Sequence, residues 1–226
     1  MKLTASKVLG FIDTIAYTAG LNLLFLLCSL PVVTMGASLT ALYAGLRAMV
    51  KKEPCFRAFF RALRSSFLRA TVAWVVLLPL NALLIFNTVT IFYYRAEGFL
   101  PALLLSVVFT LILLAITTSI FLFYSRFECT LLQMLRHGGV LAITYPLRSL
   151  LIALLTWAPF LLLVFQPMLF FMMSMVWLFF YFAVVSTAAI WLMNHPFAKF
   201  AREVLGMDVP TVHYAVDEEN ESGIPS

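Results

Sequence analysis

The chain has 226 residues, 63% of them hydrophobic and 11% charged, with a formal net charge of +5. A soluble domain is about half apolar and a quarter charged, so this composition leaves too little polar surface to cover a globule in water. The charges are also unevenly placed: no Asp, Glu, Lys or Arg occurs in 14–46, 70–94, 98–125 or 149–198.

Each of those stretches reaches the roughly 20 apolar residues that cross a bilayer's hydrocarbon core. Helices are expected there, because a lipid-exposed backbone must satisfy its own hydrogen bonds and nothing alternates like a barrel strand. The expected fold class is therefore all-α, a polytopic transmembrane helical bundle.

The chain opens with Lys2 and Lys7 before an apolar run, as a signal peptide would. It offers no small-x-small cleavage site there. Cys28 follows Leu26-Leu27, where a lipoprotein signal needs a small residue, so the segment reads as a retained first span. Leu30 precedes Pro31 and should end the first helix. Thr34 is expected to cap a second helix running to about Val50. Ala37, Ala41 and Gly45 recur every four residues with Ala44 and Ala48 close by, and Ala16 and Gly20 repeat the spacing on the first helix. Small residues on one face let membrane helices approach closely. This predicts a tight hairpin turning at Pro31–Gly36 and six spans in all. One long span followed by an amphipathic helix, giving five, is the alternative.

The next segment, PCFRAFFRALRSSFLRA (54–70), places Phe56, Phe59, Phe60, Leu63 and Phe67 at helical spacing and Arg57, Arg61 and Arg64 on another face. That pattern predicts a basic amphipathic helix lying in the membrane interface, aromatics down and guanidinium groups toward lipid phosphates. It serves either as an orientation anchor or as a docking face for a cytosolic partner or an acidic lipid. Segments 70–94 and 98–125 are one span each, and 149–194 holds two, split at Phe165-Gln166-Pro167. Between them, Glu128 is placed to pair with Arg126 or Arg136, and Gly138-Gly139 is expected to break the segment in two. A half-repeat is also suggested: Leu68-Arg69 and Leu147-Arg148 each open a span carrying a proline (Pro79, Pro159) about three turns on. The domain reading is a transmembrane domain over 1–194 and a cytosolic tail over 195–226. Asp217, Glu218, Glu219 and Glu221 mark its end as solvated and disordered.

With six spans, 14 of the 15 cations fall in the N-terminus, 47–69, 126–148 and the tail, and only Arg95 falls opposite. The positive-inside rule then puts both termini in the cytoplasm, against an anionic inner leaflet. Asn22, Asn81 and Asn87 are the most demanding polar groups within the spans, and interhelical hydrogen bonds are their expected role. The spans hold no ionisable acid or base of the kind ion pumps use. Cys28, Cys55 and Cys129 lack ligand spacing, and His137, His195 and His213 are scattered. No catalytic residue, cofactor, metal or nucleic-acid partner is expected, and the chain is read as non-enzymatic.

LNLLFLLCSLPVVTMGASLTALY (21–43) and FRAFFRALRSSFLRAT (56–71) resemble the YesL-like family (DUF624) of bacterial multi-pass membrane proteins of unknown function, and FYSRFECTLLQMLRHG (123–138) continues the likeness loosely. Ser125 stands where the family pattern has proline, and Ser66 where it has asparagine. The resemblance implies a bacterial cell-membrane location and an accessory role, because members are often encoded beside carbohydrate ABC transporters and two-component sensors. The expected function is a non-catalytic membrane protein partnering an ABC permease or a sensor kinase, with a homo-oligomer as a further option. The rival is a facilitator of a small neutral solute that uses the three asparagines.

Overall fold

The computed structural model describes the backbone of residues 2–94, 99–127 and 129–204, with side chains described between Asp13 and Glu203. Among those residues the fold is helical throughout. Helix α1 (Lys2–Ser29) is joined to α2 (Met35–Val50) by a 3-10 turn at Val32–Thr34, and α3 (Cys55–Tyr94), α4 (Phe99–Tyr124) and α5 (Leu131–Thr144) follow. Then come α6 (Pro146–Phe165), α7 (Pro167–Met172), a single turn α8 (Ser174–Val176), a π-helical turn at Trp177–Tyr181, and α9 (Phe182–Val204). Five helical segments are long and apolar enough to cross a membrane: Val32–Val50, Cys55–Tyr94, Phe99–Tyr124, Pro146–Phe165 and Ser174–Glu203. Asp13–Ser29 is a shorter apolar sixth. Lys2, Lys7, Arg95, Glu128, His213 and the acidic tail end lie outside the described side chains.

The core forms around α2, whose Ala37, Ala41, Leu42, Tyr43 and Leu46 are fully buried. The small residues let three helices close on it. A Cβ at Gly36 would stand 2.7 Å from the Phe121 ring and 2.8 Å from Trp74 Cβ; at Gly45 it would stand 2.9 Å from Leu21 and 3.3 Å from Phe59. The small-residue face therefore admits α3 and α4 as well as α1. On α1, Gly20 approaches Phe56 of α3 rather than α2, and Ala16 is exposed. Thr34 does not cap α2 through its side chain. Its hydroxyl reaches back to Cys28 O (2.6 Å) and Pro31 O (2.8 Å), closing the end of α1 instead.

Three features depart from the sequence reading. First, 54–70 is not a separate helix: it is the opening of the 40-residue α3. The change at Arg69-Ala70 is one of polarity, and nothing there breaks a helix. Second, Phe59 does not point to lipid with the other aromatics. It is fully buried, in line with Cys55, Ser66, Ala70 and Trp74 on the α3 face that meets α2. Third, α5 runs through Gly138-Gly139 and ends at Tyr145-Pro146. A Cβ on Gly138 would stand 2.5 Å from Ile120 Cα, whereas one on Gly139 would meet nothing. Gly138 is thus a contact point with α4, and the helix pays only a propensity cost for it.

Two internal prolines show how the bundle keeps its backbone satisfied. A helical proline leaves the carbonyl four residues earlier without its N–H partner. For Pro159 that carbonyl is Leu155 O, and the Tyr181 hydroxyl donates to it at 2.7 Å. For Pro196 it is Leu192 O, which accepts from Arg148 Nη1 at 3.2 Å. Neighbouring elements supply what the proline removes, as apolar surroundings demand.

Candidate functional site

The cation-bearing helix ends meet at one end of the bundle. Arg47 at the end of α2 hydrogen-bonds Ser125 O just past α4. Arg69 Nη1 donates to Cys129 O at 3.3 Å, and the Arg126 guanidinium lies 5.3 Å from the Phe197 ring centre. Asp13 and Lys52 line one hollow of about 480 Å³, which places the Asp13 turn of α1 at this basic end. Burial pushes the Cys129 thiol up, with the nearby Arg69 charge pulling against it. Such a thiol is a poor nucleophile.

The opening of α3 forms the site's exposed surface. Arg57, Arg61 and Arg64 are all solvent-facing, and none has an ion pair among the described residues. With Phe60 (51% exposed) and Ser65 they line an open hollow of about 770 Å³. A second groove of about 430 Å³ lies alongside, between α2, α3 and the end of α4, where Arg61 and Arg69 stand near Ser65, Ser66 and Thr40. Exposed aromatics and Arg are enriched at protein interfaces, and basic helices with aromatics also gather at membrane surfaces. Phe59, expected here, is in the core and takes no part.

The three asparagines do not come together. Asn22 ties α1 to the π turn: its Nδ2 donates to Trp177 O (3.0 Å) and Leu178 O (2.7 Å), and its Oδ1 accepts from Ala183 N (2.9 Å). The π geometry shifts the helix's own bonds by one residue, and this side chain serves the backbone groups displaced by it. Asn81 donates to Leu77 O (2.8 Å) and Thr117 Oγ1 (3.0 Å), joining α3 to α4. Asn87 donates to Ser106 Oγ (3.0 Å), in a hydroxyl cluster that Thr88 and Thr110 complete.

The bundle centre is nearly filled. The cavity among Phe25, Gly36, Trp74, Phe121, Trp157 and Phe182 has a volume of about 10 Å³, room for about one water. Beside it the buried Tyr43 hydroxyl faces the Thr156 and Ser186 side chains. His137 packs against Phe123 and Phe200, and His195 is exposed. Sequence reasoning missed Tyr181 and Arg148. The rule for proline carbonyls names the orphaned acceptors, but only the fold reveals the donors.

The arrangement defines a class: a closed, multi-pass helical bundle with a basic, aromatic-bearing surface at one end. Residues 15–88 match the family described as "Protein of unknown function, DUF624", a span that takes in α1 from Ile15, all of α2 and most of α3. No curated protein and no solved structure matches the chain.

Proposed function

We propose that the protein is a non-catalytic membrane protein whose basic end docks a second membrane protein. The observation that carries this reading is the exposed row of Arg57, Arg61 and Arg64 beside Phe60, without an ion pair among the described residues. Cations left without internal partners suit an acidic surface, and complementary charge steers encounter and fixes register. By the positive-inside rule that end is cytoplasmic, so both termini are as well. The resemblance to the YesL-like family supports a bacterial cell membrane and a sugar-uptake permease or sensor kinase as the partner. The solute-facilitator reading needs its asparagines to line a path. Here each one holds a helix contact, and the cavity at the centre is about one water in size.

Co-purification in mild detergent from the native host tests the proposal, with the wild-type chain and the triple variant Arg57→Gln, Arg61→Gln, Arg64→Gln compared by mass spectrometry. Arg47, Lys51, Lys52 and Arg69 remain in the variant and keep the loop positive, so insertion and expression stay normal. A permease or kinase subunit is expected with the wild type and not with the variant. Equal recovery with both returns this face to the role of membrane anchor.

A further inference from the structure

The α1–α2 hairpin does not turn where a pair of complete spans would turn. Its tip is fixed against the middle of α3: Trp74 Nε1 donates to Val32 O at 2.6 Å, and Gly36 closes on Trp74 and Phe121. From Trp74, α3 runs on to Tyr94, roughly 30 Å at 1.5 Å per residue. Trp74 also stacks on Trp157 at 5.9 Å. That residue sits about 17 Å along α6 from Pro146 and about 12 Å before Phe165. The tip is therefore level with the middle of α6, whereas a full crossing would bring it level with Tyr94 and Phe165.

The chemistry of the tip matches that depth. Leu27, Leu30, Val32 and Val33 are each at least half exposed, and the outward face of the turn is apolar. Much of the backbone of the turn is bonded from within. Thr34 N and Oγ1 both donate to Pro31 O, Thr34 Oγ1 also reaches Cys28 O, and Ser29 Oγ donates to Leu26 O at 3.0 Å. With Trp74 on Val32 O and Leu30 N on Leu27 O, the carbonyls of Leu27, Cys28, Pro31 and Val32 have protein donors in place of water. Irregular backbone inside a membrane is tolerated only under that condition. Val32–Val50 is also the least hydropathic of the five candidate spans.

We infer that α1 and α2 form a re-entrant hairpin, with both arms entering from the basic face and the tip inside the hydrocarbon layer. The occupant of the Leu27–Val33 face is lipid acyl chain. Orientation of the rest of the chain is unchanged, because a hairpin of either depth returns α2 to the side on which α1 began. The inference stands independently of any docked partner.

Single-cysteine variants of the full chain, with Cys28, Cys55 and Cys129 replaced, test it. Ser65→Cys marks the basic face and Gln166→Cys the opposite one; Val33→Cys and Leu30→Cys probe the tip, both at exposed positions that tolerate a small side chain. A membrane-impermeant maleimide is applied to intact cells and to inverted vesicles. The expected result is labelling of Gln166→Cys only in cells and Ser65→Cys only in inverted vesicles, with the tip cysteines unlabelled in both. A lipid-soluble fluorescent maleimide on the tip should then be quenched most by nitroxides at mid-acyl chain. Labelling of Val33→Cys in cells at the rate of Gln166→Cys would overturn the inference in favour of a full hairpin. Labelling in inverted vesicles at the rate of Ser65→Cys would place the tip outside the membrane. A shielded tip that acyl nitroxides fail to quench would mean protein, such as a second copy, covers it instead of lipid.

Discussion

Replacing Asn22 by Leu separates a side chain that holds the bundle together from one that serves a solute. The substitution keeps the side chain's heavy-atom count and branching and removes three hydrogen bonds at once, to Trp177 O, Leu178 O and Ala183 N. Hydrogen bonds between membrane helices average about 0.6 kcal/mol and reach about 1.7 kcal/mol, so three are worth roughly 2–5 kcal/mol. The upper part of that range applies here, because the π turn leaves its displaced backbone groups few alternatives. Unfolding in mixed micelles by rising SDS, followed by tryptophan emission, measures the loss, and Trp177 itself lies on the affected turn. An unfolding free energy within about 0.5 kcal/mol of wild type would refute the reasoning, being smaller than even one such bond. A stable variant that had lost solute flux would instead revive the facilitator reading.

The prolines make a second test. Tyr181→Phe removes the hydroxyl that donates to Leu155 O and should destabilise by about 1–2 kcal/mol, while in a Pro159→Ala background the restored backbone N–H should shrink that cost to near zero. Gly138→Ala forces a Cβ against Ile120 and should lower the thermal midpoint of the detergent-solubilised protein. Gly139→Ala, with open space around it, should leave the midpoint unchanged or raise it through about 0.8–1 kcal/mol of helix propensity. Lys52 holds a left-handed φ of 58° just past α2, so Lys52→Gly should stabilise the fold by about 1 kcal/mol in the same unfolding assay.

Charge-free runs and prolines made most of the helices legible in sequence. The four runs became most of α1 with α2, the apolar part of α3, α4, and α6 through α9, and the break at Gln166-Pro167 stands where the proline put it. Helix continuity was harder to read, because polarity and helical propensity carry different information. The basic opening of α3 and its apolar remainder differ only in polarity, so one helix contains both. Gly138-Gly139 carried the opposite ambiguity: glycine serves a break and a close helix contact equally well, and only the presence of Ile120 decides. At the candidate site, helical spacing set Phe60 apart from the arginines with the other aromatics, whereas it stands among them; the common face of Arg57, Arg61 and Arg64 was legible. Phe59 was not, since a stripe of aromatics cannot say which of its members faces protein and which faces lipid. The depth of the hairpin tip depends on a contact between Val32 and Trp74 that no local pattern contains.

The claim that the basic end docks a protein is tested most directly by a photoreactive amino acid placed at Phe60 and irradiated in membranes of the native host. The side chain stands exposed beside Arg57, Arg61 and Arg64, within reach of anything seated there. The account predicts one discrete protein adduct, absent when the same probe stands at the lipid-facing Leu83 and lost when the three arginines become glutamine. Adducts to lipid alone, unchanged by the arginine substitutions, would contradict it.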